Sequence, residues 1–566
     1  MPSRDAQPMS DSVSFARSPE LHAAFAAVQR HFQQVVVPLW QGPGWNPALQ
    51  LPYEALQVGP LDTTEAAPVE HLDAGQPTAS GDSVRSTDAD QPAGSGGSGG
   101  SASSNDSGGA TGAILRLSPA GPLAGLALTQ SPQPLPPQRY RAMACARQLY
   151  LFANLIDTPH APLARPRAAA LFDSLQRHFH DPQHGGWFYS IDAQGQPLDR
   201  RKDLYTHAFV IFACAHYLGR LGRISQADHV DLPAQADQSD QSDQATQADR
   251  PDQANQVGQA DPAVHLAHVA RVGQAAHLGK TDPPTQVDAA AAARVAAVLE
   301  QALDVVLQRF ALGGGGNSDD SEADGGAGAG AGAGANASND AVGDGDGDGD
   351  GDNDGSGLYE ACLAPDWSSL ASGPLQNPLM HLAEAFLATL AVGPNPRVEA
   401  ALLRLVAAMQ RRFVDRQHGL VVEKPLGAPD NWFEPGHQFE WFYLLDASPL
   451  LRGCALHASL QRAFDFAEQH GVVDGAVLAK LDVQGQVQDA SQRIWAQAEY
   501  LRALTLRPNG QAQVRRQLAL LQERFLHAGG WHECLAADGR LERRDLPSTT
   551  PYHLATCYAG LAAYLA

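Results

Sequence analysis

The stretch His180–Phe209, "HDPQHGGWFYSIDAQGQPLDRRKDLYTHAF", decides the fold because it returns near the end of the chain as Leu526–Ala555, "LHAGGWHECLAADGRLERRDLPSTTPYHLA". Both read as the end of a helix, Gly-Gly-Trp, a short strand, a turn with Asp and Gly, a second strand or loop, and a helix with a histidine in its first turn. Gly44–Leu56, Gln417–Trp441 and Gly471–Tyr500 are weaker echoes. One landmark per unit, Arg147, His207, His381, His437, Gln497 and His553, gives spacings of about 56 to 65 residues once two polar segments between His207 and His381 are set aside. Six units, each long enough for two helices, make a repeat array. An open solenoid keeps polar end caps, and the sequence has none, so the array closes on itself. The expected fold is all-α: an (α/α)6 toroid barrel of six helical hairpins with short β-hairpin-like loops at one mouth.

The skeleton consists of apolar-periodic helices of about 12 to 20 residues, such as Leu21–Trp40, Thr206–Gly222 and His381–Val392. A single catalytic domain is expected over 12–566, interrupted by disordered insertions at 70–112 (Gly/Ser-rich), 225–288 (Gln/Asp/Ala-rich) and 313–357 (Gly/Ala/Asp-rich). All three are poor in large apolar residues and cannot offset the entropy of ordering.

With 39 Lys and Arg against 62 Asp and Glu, the formal charge of -23 argues against nucleic acid or an anionic membrane as partner. No stretch of about 18 apolar residues suggests a membrane span, and the first residues lack the apolar run of a signal peptide. The six cysteines form no CxxC pair, so they point to neither a zinc ribbon nor a disulfide framework. Reduced, buried thiols and a cytoplasmic location are expected. There is no Walker A, no GxGxxG after a strand and no GxSxG.

His207, His381, His437 and His553 each stand in or near the first turn of an apolar helix, with Asn377 as the expected N-cap before His381 and Thr550 before His553. In a closed ring those turns converge on one mouth. A helix N-terminus disfavours imidazolium, and a neutral imidazole is a proton acceptor at physiological pH. HxxE occurs twice, as His381/Glu384 and His437/Glu440, but no compact ligand set such as HExxH is present. No metal and no cofactor are expected, and the glutamates are read as groups that orient the imidazoles or bind a polar substrate. Trp187, Trp432, Trp441, Trp495 and Trp531 fall in loops or near helix starts, where indole rings stack on sugar C–H faces or fill the core.

At Arg141–Ala153, Gly185–Pro197, Lys202–Ala213, Asn377–Ala388, Pro435–Leu445, Arg493–Ala503 and Pro551–Leu554 the sequence resembles the N-acylglucosamine 2-epimerase superfamily, which includes cellobiose 2-epimerases and mannose-type aldose–ketose isomerases. These pieces run the length of the skeleton and skip the insertions. The resemblance implies an (α/α)6 barrel acting on a monosaccharide. It implies Arg147 on the substrate carbonyl or enediolate oxygen, His207 assisting ring opening or holding hydroxyls, and His381 and His553 as the acid/base pair, with Glu384 supporting His381. Trp441, Trp495 and Trp531 would border the sugar, with His437 and Glu440 either binding it or supporting the groups that do. Glu499 is a further substrate-binding candidate.

"PSTTPYHL", Pro547–Leu554, looks more like the mannose-isomerase branch, so the expected reaction interconverts mannose, or a close aldose such as lyxose, with its 2-ketose. The first rival is 2-epimerisation of an N-acylglucosamine or cellobiose type of sugar. The second is an (α/α)6 glycoside hydrolase using a carboxyl pair among Glu384, Glu440 and Glu499. The third is a scaffold without activity. A homo-oligomer is compatible with all of these.

Overall fold

The computed structural model describes residues 19–57, 132–136, 139–227, 286–313, 357–508 and 510–566. Among them are twelve helices of ten residues or more, which alternate between an outer and an inner layer. The outer helices are α1 (Pro19–His31), α3 (Ala161–Ser174), α5 (Gln286–Val305), α7 (Pro396–Arg412), α9 (Ala455–Gly471) and α11 (Gln511–Leu520). The inner helices are α2 (Ala142–Asn154), α4 (Leu204–Ala227), α6 (Gln376–Val392), α8 (Pro435–Ala447), α10 (Ile494–Leu504) and α12 (Thr550–Leu565). Each inner helix packs on the next, and α12 packs back on α2, so the ring is closed. The six sequence landmarks fall one to each inner helix.

Burial explains the two layers. In α2 every residue from Ala142 to Ala153 is buried, as befits a helix with neighbours on all sides. Outer helix α7 is one-sided: Val398, Ala401, Leu402, Leu405, Val406, Ala408 and Met409 form its buried stripe. Its ends follow local rules. The Asn395 side chain accepts from Val398 N, Pro396 opens the helix, Glu399 lies in the first turn, and Arg411 and Arg412 lie in the last. Helices α1, α3, α5 and α11 run on into π turns, three of which end in a fully buried Phe179, Phe310 or Phe525.

The repeated hairpin is the same object in five units. Phe188 N donates to Phe179 O, Glu360 N to Phe310 O, Val422 N to Phe413 O, Leu478 N to Gly471 O and His532 N to Phe525 O, all at 2.7–2.9 Å. The strand before each inner helix then pairs with the hairpin of the following unit. Tyr140–Arg141 pairs with Ser190–Ile191, Lys202–Asp203 with Cys362–Leu363, Trp432–Phe433 with Lys480–Asp482, and Gln492–Arg493 with Cys534–Leu535. Gln376 N to Glu423 O, 3.3 Å, makes the corresponding link before α6. Asp545–Pro547 pairs with Ala55–Gln57 and completes the circle between the last unit and the first.

Two helix starts differ from expectation. Helix α6 begins at Gln376 with Leu375 as N-cap, so Asn377 is inside it and His381 stands in its second turn. Helix α12 begins at Thr550, with Thr549 at the N-cap. In neither case does an N-cap side chain accept a hydrogen bond, so the boundary is set by packing and by the strand that leads into the helix. The expected insertion at 70–112 lies outside the described residues. Those at 225–288 and 313–357 do too, apart from their edges: α4 runs to Ala227 and α5 starts at Gln286, each inside the expected bounds, and Gly313 and Gly357 are described. No helix among the described residues is long and apolar enough to cross a membrane.

Candidate active site

Five inner helices bring titratable groups to one buried place. Helix α6 supplies His381 and Glu384 one turn apart, with His381 Nδ1 3.1 Å from Glu384 Oε2. Helix α12 supplies His553, whose Nδ1 is 2.8 Å from Glu499 Oε1 on α10. Glu440 of α8 lies between the pairs. One of its oxygens is 3.9 Å from His381 Nδ1, and its carboxylate comes within 4.8 Å of a ligand atom of His553 and of Glu499. Both imidazoles thus spend Nδ1 on a carboxylate, which leaves Nε2 as the available nitrogen. Tyr552, next to His553, donates its hydroxyl to Glu384.

Helix α2 contributes Arg147, which is held by aromatic rings. Its Nη2 donates to Tyr205 Oη at 2.6 Å, and its guanidinium carbon lies 4.2 Å from the Phe209 ring centre and 4.8 Å from that of Tyr552. It forms no ion pair with a carboxylate among the described residues, and its Nε is buried without a partner. A cation packed this way keeps its charge available for an oxyanion.

Burial governs the protonation states. It pulls the His381 imidazole down to about 4, against the pull of Glu384, and it pulls His553 well below the ordinary range, with the Arg147 charge acting the same way. Burial works to raise Glu384, but its bonds from His381 and Tyr552 and the Arg502 charge hold it down at about 2. Burial and the neighbouring Glu499 and Glu384 push Glu440 well above the usual carboxylate range, which favours its protonated form. At both positions, His381 and His553, desolvation, rather than the helix terminus, is the dominant cause that favours the neutral imidazole.

The other expected residues divide. Trp495 is at the group: its ring centre stands 5.6 Å from that of His553 and 5.1 Å from that of His437. The His437 Nδ1 lies 2.7 Å from Glu423 Oε1, and Gln376 donates to the same carboxylate while accepting from Trp441 Nε1 at 3.0 Å. Burial lowers His437, but Glu423 and Glu434 outweigh it, so this imidazole is raised, contrary to the expectation of a neutral base.

His207 is not brought to the group. It is fully buried on another face of α4, with Nδ1 2.7 Å from Asp203 O and Nε2 accepting from Trp187 N at 3.1 Å. Both nitrogens are engaged, so the ring props the Gly-Gly-Trp loop. Gly186, at φ +69°, leaves room for it: a Cβ there would stand 2.8 Å from His207 Nε2. Trp441 and Trp531 are also fully buried, and Trp531 Nε1 donates to Glu533 Oε2 at 2.8 Å. Neither indole offers a face to a ligand in this conformation.

Sequence reasoning missed Tyr205, Phe209, Glu423, Arg502 and Tyr552. Arg502 had a signal, since Glu499 and Arg502 are three apart on a helix whose only other polar side chain besides Tyr500 and Trp495 is Gln497. Tyr552 had none beyond its place beside His553. A separate cleft of about 410 Å³ lies on the outer wall between α5 and Trp367, and it shares no residue with the imidazole group.

The N-acylglucosamine 2-epimerase (GlcNAc 2-epimerase) family profile matches residues 125–267 and 349–557, more than half of the chain. The chain belongs to the N-acylglucosamine 2-epimerase family. This family member is 32% identical over 203 residues to the mannose-6-phosphate isomerase of Rhizobium meliloti (strain 1021), covering 31% of the chain and 52% of that relative. It is 44% identical over 54 residues to the D-mannose isomerase of Thermobifida fusca, covering 9% of the chain and 13% of that relative. The chain therefore spans about half the length of the first relative and much less of the second. Cellobiose 2-epimerase from Spirochaeta thermophila DSM 6192 superposes with a TM-score of 0.55 at 15% identity, over 97% of this chain and 98% of that one. A crystal structure of D-mannose isomerase superposes with a TM-score of 0.50 at 17% identity, over 75% and 87%. At such identities the superpositions establish the fold that this N-acylglucosamine 2-epimerase family member shares with them.

The two trios His381/Glu384/Glu440 and Glu440/Glu499/His553 each place ligand atoms within 4.8 Å of one another. Their oxygens are partly spent on Tyr552 and Arg502, so the donor set is that of a hydrogen-bonded cluster as much as of a metal site.

Proposed function

We propose that this protein isomerises mannose, or a close aldose such as lyxose, to the corresponding 2-ketose by imidazole acid/base catalysis. The observation that carries the reading is the pair His381 and His553, each with Nδ1 on a carboxylate, on either side of Glu440, with the unneutralised Arg147 guanidinium close by. An aldose C2–H is weakly acidic, and its removal needs both a base and stabilisation of the oxyanion it creates. His553 Nε2 takes the C2 proton, and the electron pair moves through C1=C2 to leave a cis-enediolate. Arg147 stabilises that oxygen. His381 moves the proton between O1 and O2. Return of the abstracted proton to C1 completes the ketose. A positioned base contributes about 10²–10⁴-fold and a fixed oxyanion donor about 3–4 kcal/mol.

The identities to a mannose-6-phosphate isomerase and a D-mannose isomerase support the choice of substrate class. Hydrolysis fits less well: Glu384 is bound to His381 and Tyr552, and Glu499 to His553 and Arg502, which leaves Glu440 alone as a free acid. The test is NMR of purified protein with mannose, lyxose, glucose, N-acetylmannosamine and cellobiose in D2O. Ketose formed from mannose or lyxose supports the proposal. Deuterium at C2 with only aldose products replaces it with 2-epimerisation, and cleaved cellobiose replaces it with hydrolysis.

A further inference from the structure

Arg502 of α10 is buried between the two imidazole–carboxylate pairs. Its Nη1 donates to Glu499 Oε2 at 3.2 Å and lies 4.0 Å from Glu384 Oε1. Glu499 holds His553 with its other oxygen, and Glu384 holds His381 with its other oxygen. One guanidinium therefore stands behind both dyads. We propose that Arg502 is the positioning residue of the site, fixing Glu499 and Glu384 as anions aimed at Nδ1 so that Nε2 is the basic nitrogen of both His553 and His381. The inference rests on the acid/base reading above and adds the group that sets both tautomers together.

The surroundings support a built arrangement. From α8, the Tyr443 ring lies 4.0 Å from the guanidinium carbon. From α12, Gly560 makes room: a Cβ there would stand 3.2 Å from Arg502 Cγ and 3.3 Å from Tyr443 Oη. The other titratable groups that feel its charge are His553, Tyr552 and Cys557 of α12 and Tyr150 of α2, with Glu440 of α8. On balance burial leaves the Glu499 carboxyl raised, and Arg502 is the first group that holds the rise back. With one cation serving two carboxylates, Glu440 is the third carboxyl, and burial with its carboxylate neighbours raises it well above the usual range. A protonated Glu499 would present no anion to His553 Nδ1–H, and the imidazole would be free to adopt the tautomer with hydrogen on Nε2, which is not a base toward substrate.

The experiment uses the full chain carrying R502M or R502K, with folding checked by circular dichroism. Long-range 1H–15N spectra of histidine-labelled protein report the tautomers, with H381N and H553N assigning the signals. R502M is expected to mix the tautomers of both imidazoles, to lower kcat about 10- to 100-fold as outer-shell partners of an imidazole do, with KM changing less, and to move the acid limb of kcat/KM toward higher pH, because a cation that disfavours imidazolium is gone. R502K is expected to keep the limb and lose part of kcat. If R502M does not fold, R502K and the crowding substitution Gly560→Ala carry the same readouts. Unchanged tautomer signals in a folded variant overturn the proposal, including when activity falls only in step with the folded fraction. If the wild-type protein moves no C–H proton of any sugar but R502M still mixes the tautomers, the isomerase reading fails and the positioning role stands.

Discussion

At the scale of single residues, His381 and His553 differ from His207 by what their nitrogens touch. Replacing His381 or His553 with Asn is expected to lower C2–H exchange by about 10²–10⁴-fold, measured as deuterium incorporation, with little change in the urea midpoint. His207→Ala is expected to do the reverse. It leaves the Trp187 amide without its acceptor, costs about 1–3 kcal/mol, and shows in urea denaturation more than in turnover. The pH profile follows from His381 being held at about 4. A base works unprotonated, so activity is present above its pKa and is lost as pH falls through it. The kcat/KM should therefore be flat from pH 7 to about 5.5, where an ordinary imidazole near 6.5 would have lost about tenfold. A midpoint near 6.5 would contradict the assignment. Dialysis against a chelator separates the cluster from a metal centre: turnover is expected to survive it, and loss restored by a divalent cation would reassign the two trios around Glu440.

At the scale of elements, the hairpins are braced by the inner helices that follow them. Gln438 binds Val421 N and O at 2.9 and 2.7 Å, and Gln497 binds Val477 N and O at 2.8 and 2.9 Å. His207 does the same work at Trp187 N. Gln497→Ala is expected to cost about 1–3 kcal/mol and to raise hydrogen exchange at the Val477 amide before that of the helices. These braces show how far the sequence could be read. Element order, helix pairing and the number of units were legible, because they depend on hydrophobic period and spacing. Register was not. His437 sits one residue before the brace Gln438, and Gln497 is itself the brace, so the landmarks were out of step by one position. One residue is about 100° around a helix, which is the difference between a side chain that ties down a loop and one that meets its neighbours in the barrel. The Glu–His and Arg–aromatic contacts cross between helices far apart in the chain, and no local pattern encodes them.

At the scale of the whole molecule, the ring depends on its closure. Asp545–Pro547 pairs with Ala55–Gln57, Phe25 and Phe32 of the first unit meet Tyr558 on α12, and the same helix carries His553. Leu56→Asp places a charge where a fully buried Leu faces the closing pair, and it is expected to lower both stability and turnover, read as a lower Tm together with a lower kcat. A variant that melts earlier yet keeps wild-type kcat below its Tm would show that the imidazole group is positioned without the clasp. The Ala55–Gln57 strand therefore matters to a histidine near the other end of the chain, although it contributes none of the side chains of the imidazole group.

Helix α4 enters the barrel beside the loops and leaves at the far end, where Ala227 and the start of α5 at Gln286 are the described borders of a long intervening stretch. That gives the enzyme a natural handle. A fluorophore, affinity tag or surface tether joined at Ala227 would start at the end of α4 away from the Lys202–Asp203 strand, so the protein could be fixed to a support with its loop end turned outward.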